Sequence, residues 1–108
     1  MSNPNVVIRT EDRLDVNSSE DLRREIMDAL DKEPKTILVD CQDVTFMDSS
    51  GLSAMVMALK LSREANIHLA LCSVGEQARL LFELTGMDRV FDIFEDRAAF
   101  EKTVEQPV

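Results

Sequence analysis

The segment Phe46-Met47-Asp48-Ser49-Ser50-Gly51-Leu52 sets an acid, two hydroxyls and a glycine side by side. Aspartate and serine in such a run commonly cap a helix, because their oxygens accept hydrogen bonds from the first free backbone N–H groups. A serine there can also accept a phosphate. A helix N-terminus offers unpaired N–H donors and a partial positive charge, so an anion is locally tolerated. Phosphorylation would add a charge of about −1.5 to −2 and three strong acceptors. Beside Asp48 that charge need not unfold anything; it can make the surface unacceptable to a partner. A third chemistry, nucleophilic attack by Ser50, needs a nearby base. His68 is the only histidine, and it stands in the apolar run Ile67-His68-Leu69-Ala70-Leu71-Cys72, where a structural role is expected. No second carboxylate, base or metal cluster has recognisable spacing with Ser50. No catalytic or metal-binding residue is therefore assigned, and the chain is not expected to be an enzyme. Spacing alone leaves capping and phosphorylation both open, with capping the commoner use of these residue types.

The elements around this segment must position it. Val6-Val7-Ile8 reads as a strand, Glu11-Asp12 as a polar break, and Arg13-Leu14-Asp15-Val16 as a second strand, giving an N-terminal hairpin. Asn17-Ser18-Ser19-Glu20 has the form of a capping box, and Leu22, Ile26, Ala29 and Leu30 follow at helical spacing. Pro34 prevents continuation of that helix. Thr36-Ile37-Leu38-Val39-Asp40 predicts a strand buried on both faces. Val44-Thr45-Phe46-Met47 leads to the serines, and a strong helix runs from Gly51 to Ala65. A strand over 67–72 follows. Ser73-Val74-Gly75-Glu76 is a second capping box, opening a helix with Ala78, Leu81, Phe82 and Leu84, and Gly86 is its stop. Val90–Phe94 predicts the last strand and Asp96–Val104 the last helix, with Phe100 and Val104 one turn apart. Glu105-Gln106-Pro107-Val108 reads as a flexible tail. Alternation of this kind implies one α/β domain over residues 1–108, built on a mostly parallel sheet. Right-handed crossovers place the Phe46–Gly51 loop at the strands' C-terminal ends, where such folds carry function.

In the helix after the serines, Leu52, Met55, Val56 and Leu59 share a face that should pack on the sheet. Ala54, Met57 and Leu61 lie on the opposite side, where a surface helix should be polar. Either a neighbouring helix covers them or they form an apolar docking patch beside the serines, a use that suits flexible methionine.

Composition narrows the partners. The 108 residues carry a net charge of −9, which repels phosphate backbones and anionic headgroups, so nucleic acid and membrane surfaces are poor candidates. No apolar run is long enough to span a bilayer, and the N-terminus lacks the features of a signal peptide. Cys41 and Cys72 lack metal-ligand spacing and read as small buried residues. With five Phe and no Trp or Tyr, stacking platforms for bases are scarce. Gly51, Gly75 and Gly86 are scattered, so there is no glycine-rich phosphate loop. No cofactor is expected.

Asp48-Ser49-Ser50-Gly51-Leu52, preceded by Val44-Thr45-Phe46-Met47, resembles the signature of the STAS domain (sulfate transporter and anti-sigma factor antagonist). Arg13-Leu14-Asp15, Ile37-Leu38-Val39-Asp40, Leu69-Ala70-Leu71-Cys72 and the stretch from Leu80 to Met87 extend the resemblance over nearly the whole chain. It implies a STAS-like α/β fold with a four- to five-stranded, mostly parallel or mixed sheet and about four helices. It further implies a cytoplasmic anti-sigma factor antagonist. Such a protein, unphosphorylated, sequesters an anti-sigma factor that is also an ATP-dependent serine kinase. The kinase phosphorylates it and so releases it, and a metal-dependent serine phosphatase restores it. By the same resemblance Ser50 is the acceptor, with Ser49 as the alternate. Asp48, Ser49, Ser50, Gly51, Ser53, Ala54, Met57 and Leu61 form the partner-binding surface, Gly51 by permitting close approach. Ser53 stands where many members have a smaller residue and adds a third hydroxyl. Competing readings are a non-phosphorylated STAS scaffold subunit, a small-ligand sensor and, last, a hydrolase using Ser50.

Overall fold

A computed structural model describes residues 5–105. Its elements are β1 (Val6–Leu14), α1 (Ser19–Asp31), β2 (Thr36–Met47), α2 (Ser49–Glu64), β3 (His68–Cys72), α3 (Glu76–Thr85), a short 3-10 turn (Met87–Arg89), β4 (Asp92–Phe94) and α4 (Arg97–Glu105). The four strands lie in the order β1-β2-β3-β4, and every neighbouring pair is parallel. With sequential strands and right-handed crossovers, α1, α2 and α3 must fall on one face of the sheet. They do. Leu22, Ile26 and Ala29 of α1, Leu52, Met55 and Leu59 of α2, and Ala78 and Phe82 of α3 bury against Ile8, Ile37, Val39, Leu69 and Leu71. The opposite face carries a smaller core. There Phe100 of α4 closes over Leu38, Ala70 and Cys72, with its ring edge-on to Phe94 at 5.5 Å. The first six residues of β2 are all buried, as a strand covered on both faces requires.

The expected hairpin is not formed. Glu11-Asp12 is strand rather than turn: the two residues pair in step with Asp43 and Val44, and β1 keeps its direction through them. The pairing with β2 shifts between Arg9 and Glu11 and again between Asp12 and Arg13. At each shift the extra residue lies in β2, between Asp40 and Asp43 and between Val44 and Phe46, and Asp12 sits opposite in the left-handed region at φ 56°. The chain can do this because β2 does not end at Asp40. It runs through Val44–Met47, giving both halves of β1 the same parallel partner.

Neither capping box is made. The α1 cap is Ser18, whose hydroxyl turns back to the Arg13 carbonyl and the Asp15 N–H instead of the helix. At α3 the cap is Gly75, and Ser73 sits in the left-handed region at φ 57°. Gly86 does stop α3, at φ 75°. Residues 106–108 of the expected tail lie outside the described residues, and Glu105 closes α4.

Candidate functional site

The serine pair sits at the N-terminus of α2, at the C-terminal edge of the sheet. Asp48 is the cap, in extended conformation, and its Oδ1 accepts from the N–H groups of Ser50 (2.9 Å) and Gly51 (3.1 Å). Capping is thus done by Asp48, and the serine hydroxyls are released from it. Ser49 is exposed and Ser50 half-buried, and neither hydroxyl is hydrogen-bonded among the described residues. Both oxygens stand at the positive end of a 16-residue helix whose first turn holds no carboxylate.

Three contacts hold the segment before the serines. The Asp48 N–H donates to the Leu14 carbonyl at 3.1 Å, extending the β1–β2 ladder into the cap. The Gln77 amide, from the first turn of α3, accepts from the Met47 N–H at 2.8 Å and donates to the Met47 carbonyl at 2.7 Å. It pairs with Met47 as a third strand would. The Arg13 guanidinium lies 4.4 Å from the centre of the Phe46 ring. Nothing in the sequence singled out Gln77, since a glutamine in a helix's first turn carries no periodic or motif signal.

Replacing Asp48 by Ala should cost about 1 kcal/mol, the usual loss for an N-cap. In urea the midpoint should fall and the slope stay constant; an unmoved midpoint would show that the cap bonds contribute nothing.

The surface residues around the serines differ in part from expectation. Ser53 and Met57 are exposed and Leu61 is half-buried. Gly51 and Ala54, assigned to the partner surface, are buried. The close approach that Gly51 allows is internal: a Cβ there would lie 2.2 Å from the Leu14 carbonyl oxygen. Ala54 packs toward α1, lining with Ile26, Met27, Met57, Ala58 and Leu61 a shallow groove of about 220 Å³ between the two helices. The non-polar side of α2 divides: α1 covers Ala54, while Met57 stays 38% exposed. Val56, expected on the sheet, is also 38% exposed, because the buried stripe of α2 runs through Ala54, Ala58 and Ser62 toward α1.

His68 does not reach the serines as a base. His68 opens β3 beside Thr36, the first residue of β2, whereas the serines follow Met47, its last. The two ends lie on the order of 35 Å apart at the usual rise per residue. His68 is exposed and bonds Asp92 at 2.8 Å across β3 and β4. Cys41 and Cys72 are both buried and free, in the cores on opposite faces of the sheet. Burial pushes the Cys41 thiol up to about 12 and the Cys72 thiol up to about 11. Both stay protonated and unreactive near neutrality. Among the described residues no group of acidic, histidine or cysteine side chains could hold a metal ion.

The parallel sheet with three helices on one face and the serine pair at the N-terminus of α2 accord with the resemblance to the STAS domain. The chain belongs to the STAS domain family, whose sequence model matches residues 2–100. It is 30% identical over 80 residues to the anti-sigma-B factor antagonist of Bacillus subtilis, covering 74% of this chain and 72% of that protein. To the anti-sigma-B factor antagonist of Listeria monocytogenes it is 34% identical over 62 residues, covering 57% of this chain and about half (54%) of that one. The solved structure of the anti-sigma factor antagonist SpoIIAA in its unphosphorylated form superposes over 100% of this chain and 95% of its own, with TM-score 0.79 at 21% identity. The phosphorylated form of the Bacillus protein superposes over 95% and 94%, with TM-score 0.71 at 22% identity. These two likenesses are of fold. No described helix is long and apolar enough to cross a membrane.

Proposed function

We propose that this chain is a cytoplasmic anti-sigma factor antagonist, a non-catalytic binding switch formed by a single domain. Unmodified, it binds and sequesters an anti-sigma factor that is also an ATP-dependent serine kinase. Phosphorylation of Ser50 releases that partner, and a metal-dependent serine phosphatase resets the protein. The observation that carries this reading is the division of labour at α2. Asp48 does the capping, so the Ser50 hydroxyl is unbonded at a positively polarised helix end. Ser49 is the alternate acceptor. The docking surface is the exposed and half-buried part of the expected set, Ser49, Ser50, Ser53, Met57 and Leu61, held in place by Asp48. Incubation with the kinase and ATP should add a single phosphate that is lost in Ser50→Ala. A phosphate that persists in that variant assigns the acceptor elsewhere, and no phosphate at all leaves the scaffold reading.

Met57→Lys should weaken the kinase by about tenfold and leave the fold intact, since it removes a flexible apolar contact from an exposed position. Calorimetric titration reads the first effect and thermal unfolding the second; unchanged affinity would take Met57 out of the interface. The acidic surface calls for a basic partner face, so affinity should also fall as salt rises.

A further inference from the structure

We propose that the trough between β1 and α1 receives an extended, basic segment of a partner, added as a strand along the outer edge of β1. β1 is an outer strand and pairs only with β2 among the described residues. Proteins usually blunt such edges with bulges, charges or a covering element. The C-terminal half of β1 is blunted in this way by its two register shifts. The N-terminal half is not. Val6, Val7, Ile8 and Arg9 pair in unbroken register with Ile37, Leu38, Val39 and Asp40, so their backbone is regular strand, ready for a second neighbour.

Beside this edge α1 leaves room. One cleft of about 280 Å³ lies between Val6–Arg9 and the helix residues Glu25, Asp28 and Lys32. A second, of about 290 Å³, continues past Thr10 and Leu14 to Asp21 and Glu25. The two share Arg9 and Glu25 and so form one trough along the strand. Strand addition next to a helix wall is a known mode of peptide recognition, in which the backbone supplies affinity and alternate side chains supply selectivity.

Charge selects the occupant. Asp21, Glu25 and Asp28 recur at i, i+4 and i+7 on one stripe of α1. Asp21 shares Arg24 at 3.4 Å, while Glu25 and Asp28 have no cation among the described residues. Arg9 is already paired with Asp43 at 2.7 Å. A second copy of this chain would bring a further −9 to an acidic wall, so self-pairing is disfavoured. A segment alternating Lys or Arg with small β-branched residues fits both the wall and the strand.

The test uses the full chain and two acetylated peptides of equal length, one alternating Lys and Val, the other Glu and Val. The Lys-Val peptide should bind, more weakly as salt rises, and should slow amide exchange in Val6–Thr10. The double variant Glu25→Lys, Asp28→Lys changes two exposed side chains and should keep its unfolding midpoint while losing about tenfold or more in affinity. Lys32→Glu should bind the Lys-Val peptide more tightly than the unmodified chain. The proposal is overturned by no binding, by equal binding of the Glu-Val peptide, by protection that appears away from β1, by affinity indifferent to the charge reversals, or by a homodimer formed through β1.

Discussion

Replacing Ser50 by Asp is expected to weaken kinase binding by about 30-fold or more while leaving the protein as stable as before, or slightly more so. The two effects have separate causes. Ser50 is the second residue of α2, following the Asp48 cap. A carboxylate in a first helical turn is favoured by the helix dipole, by about 0.3–1 kcal/mol. The α2 first turn has no carboxylate of its own, though the Asp48 cap stands beside it, so the gain is at the lower end of that range. At the docking surface the same charge must be desolvated against a partner that met a neutral hydroxyl. An unpaired charge buried in an interface costs about 2–5 kcal/mol, and about 2 kcal/mol is already 30-fold. Opposite signs for stability and binding separate this account from simple damage to the fold. Urea unfolding and calorimetric titration of one preparation read both. Unweakened binding would remove the electrostatic basis of the switch, and a drop in stability would show that Ser50 is a packing residue.

Gly51→Ala should be the most destabilising single methyl addition at the site. In an ordinary helix interior the change gains about 1 kcal/mol. Here the new Cβ would lie 2.2 Å from the Leu14 carbonyl oxygen and 2.8 Å from the Leu14 Cβ. That carbonyl cannot easily withdraw, because it accepts the Asp48 N–H at 3.1 Å. Overpacking commonly costs about 1–3 kcal/mol, and a backbone obstacle puts this case at the upper end, about 3 kcal/mol, after the propensity gain. Gly75→Ala is the control. Gly75 has an ordinary φ of −72°, and its Cβ would meet nothing within 4 Å, so stability should be nearly unchanged. If Gly51→Ala is as stable as the unmodified chain, β1 and α2 are not packed as described.

The central strands and helices were legible because their signals are local and strong. β2 and β3 are apolar runs, and α1 shows its stripe of Leu22, Ile26 and Ala29 directly. The N-terminal hairpin was misread because a polar pair such as Glu11-Asp12 looks alike as a turn or as a continuing edge strand. What decides between them is whether a partner strand continues alongside, and that lies some 30 residues away in Val44–Met47. The capping boxes failed for a related reason. Ser18 has a nearer acceptor in the turn after β1, and local hydrogen bonds of this kind compete with caps.

At the site, Asp48, Ser49 and Ser50 were legible as a motif, and Met57 as an apolar residue out of phase whose exposure the sequence left open. Gly51 and Ala54 were assigned outward because spacing along one helix does not say which sides its neighbours cover. α1 occupies the Ala54 side, and Leu14 fills the space beside Gly51. Gln77 was invisible, since its role exists only once β2 and α3 are assembled.

The central claim meets its most direct test in a calorimetric titration of the partner kinase against two forms of this protein, one with phosphoserine at position 50 and one with the free hydroxyl. The account predicts tight, salt-sensitive binding of the free form and loss of about two orders of magnitude or more in the phosphorylated one, with both forms unfolding at similar urea concentrations. Equal affinity of the two forms would contradict it.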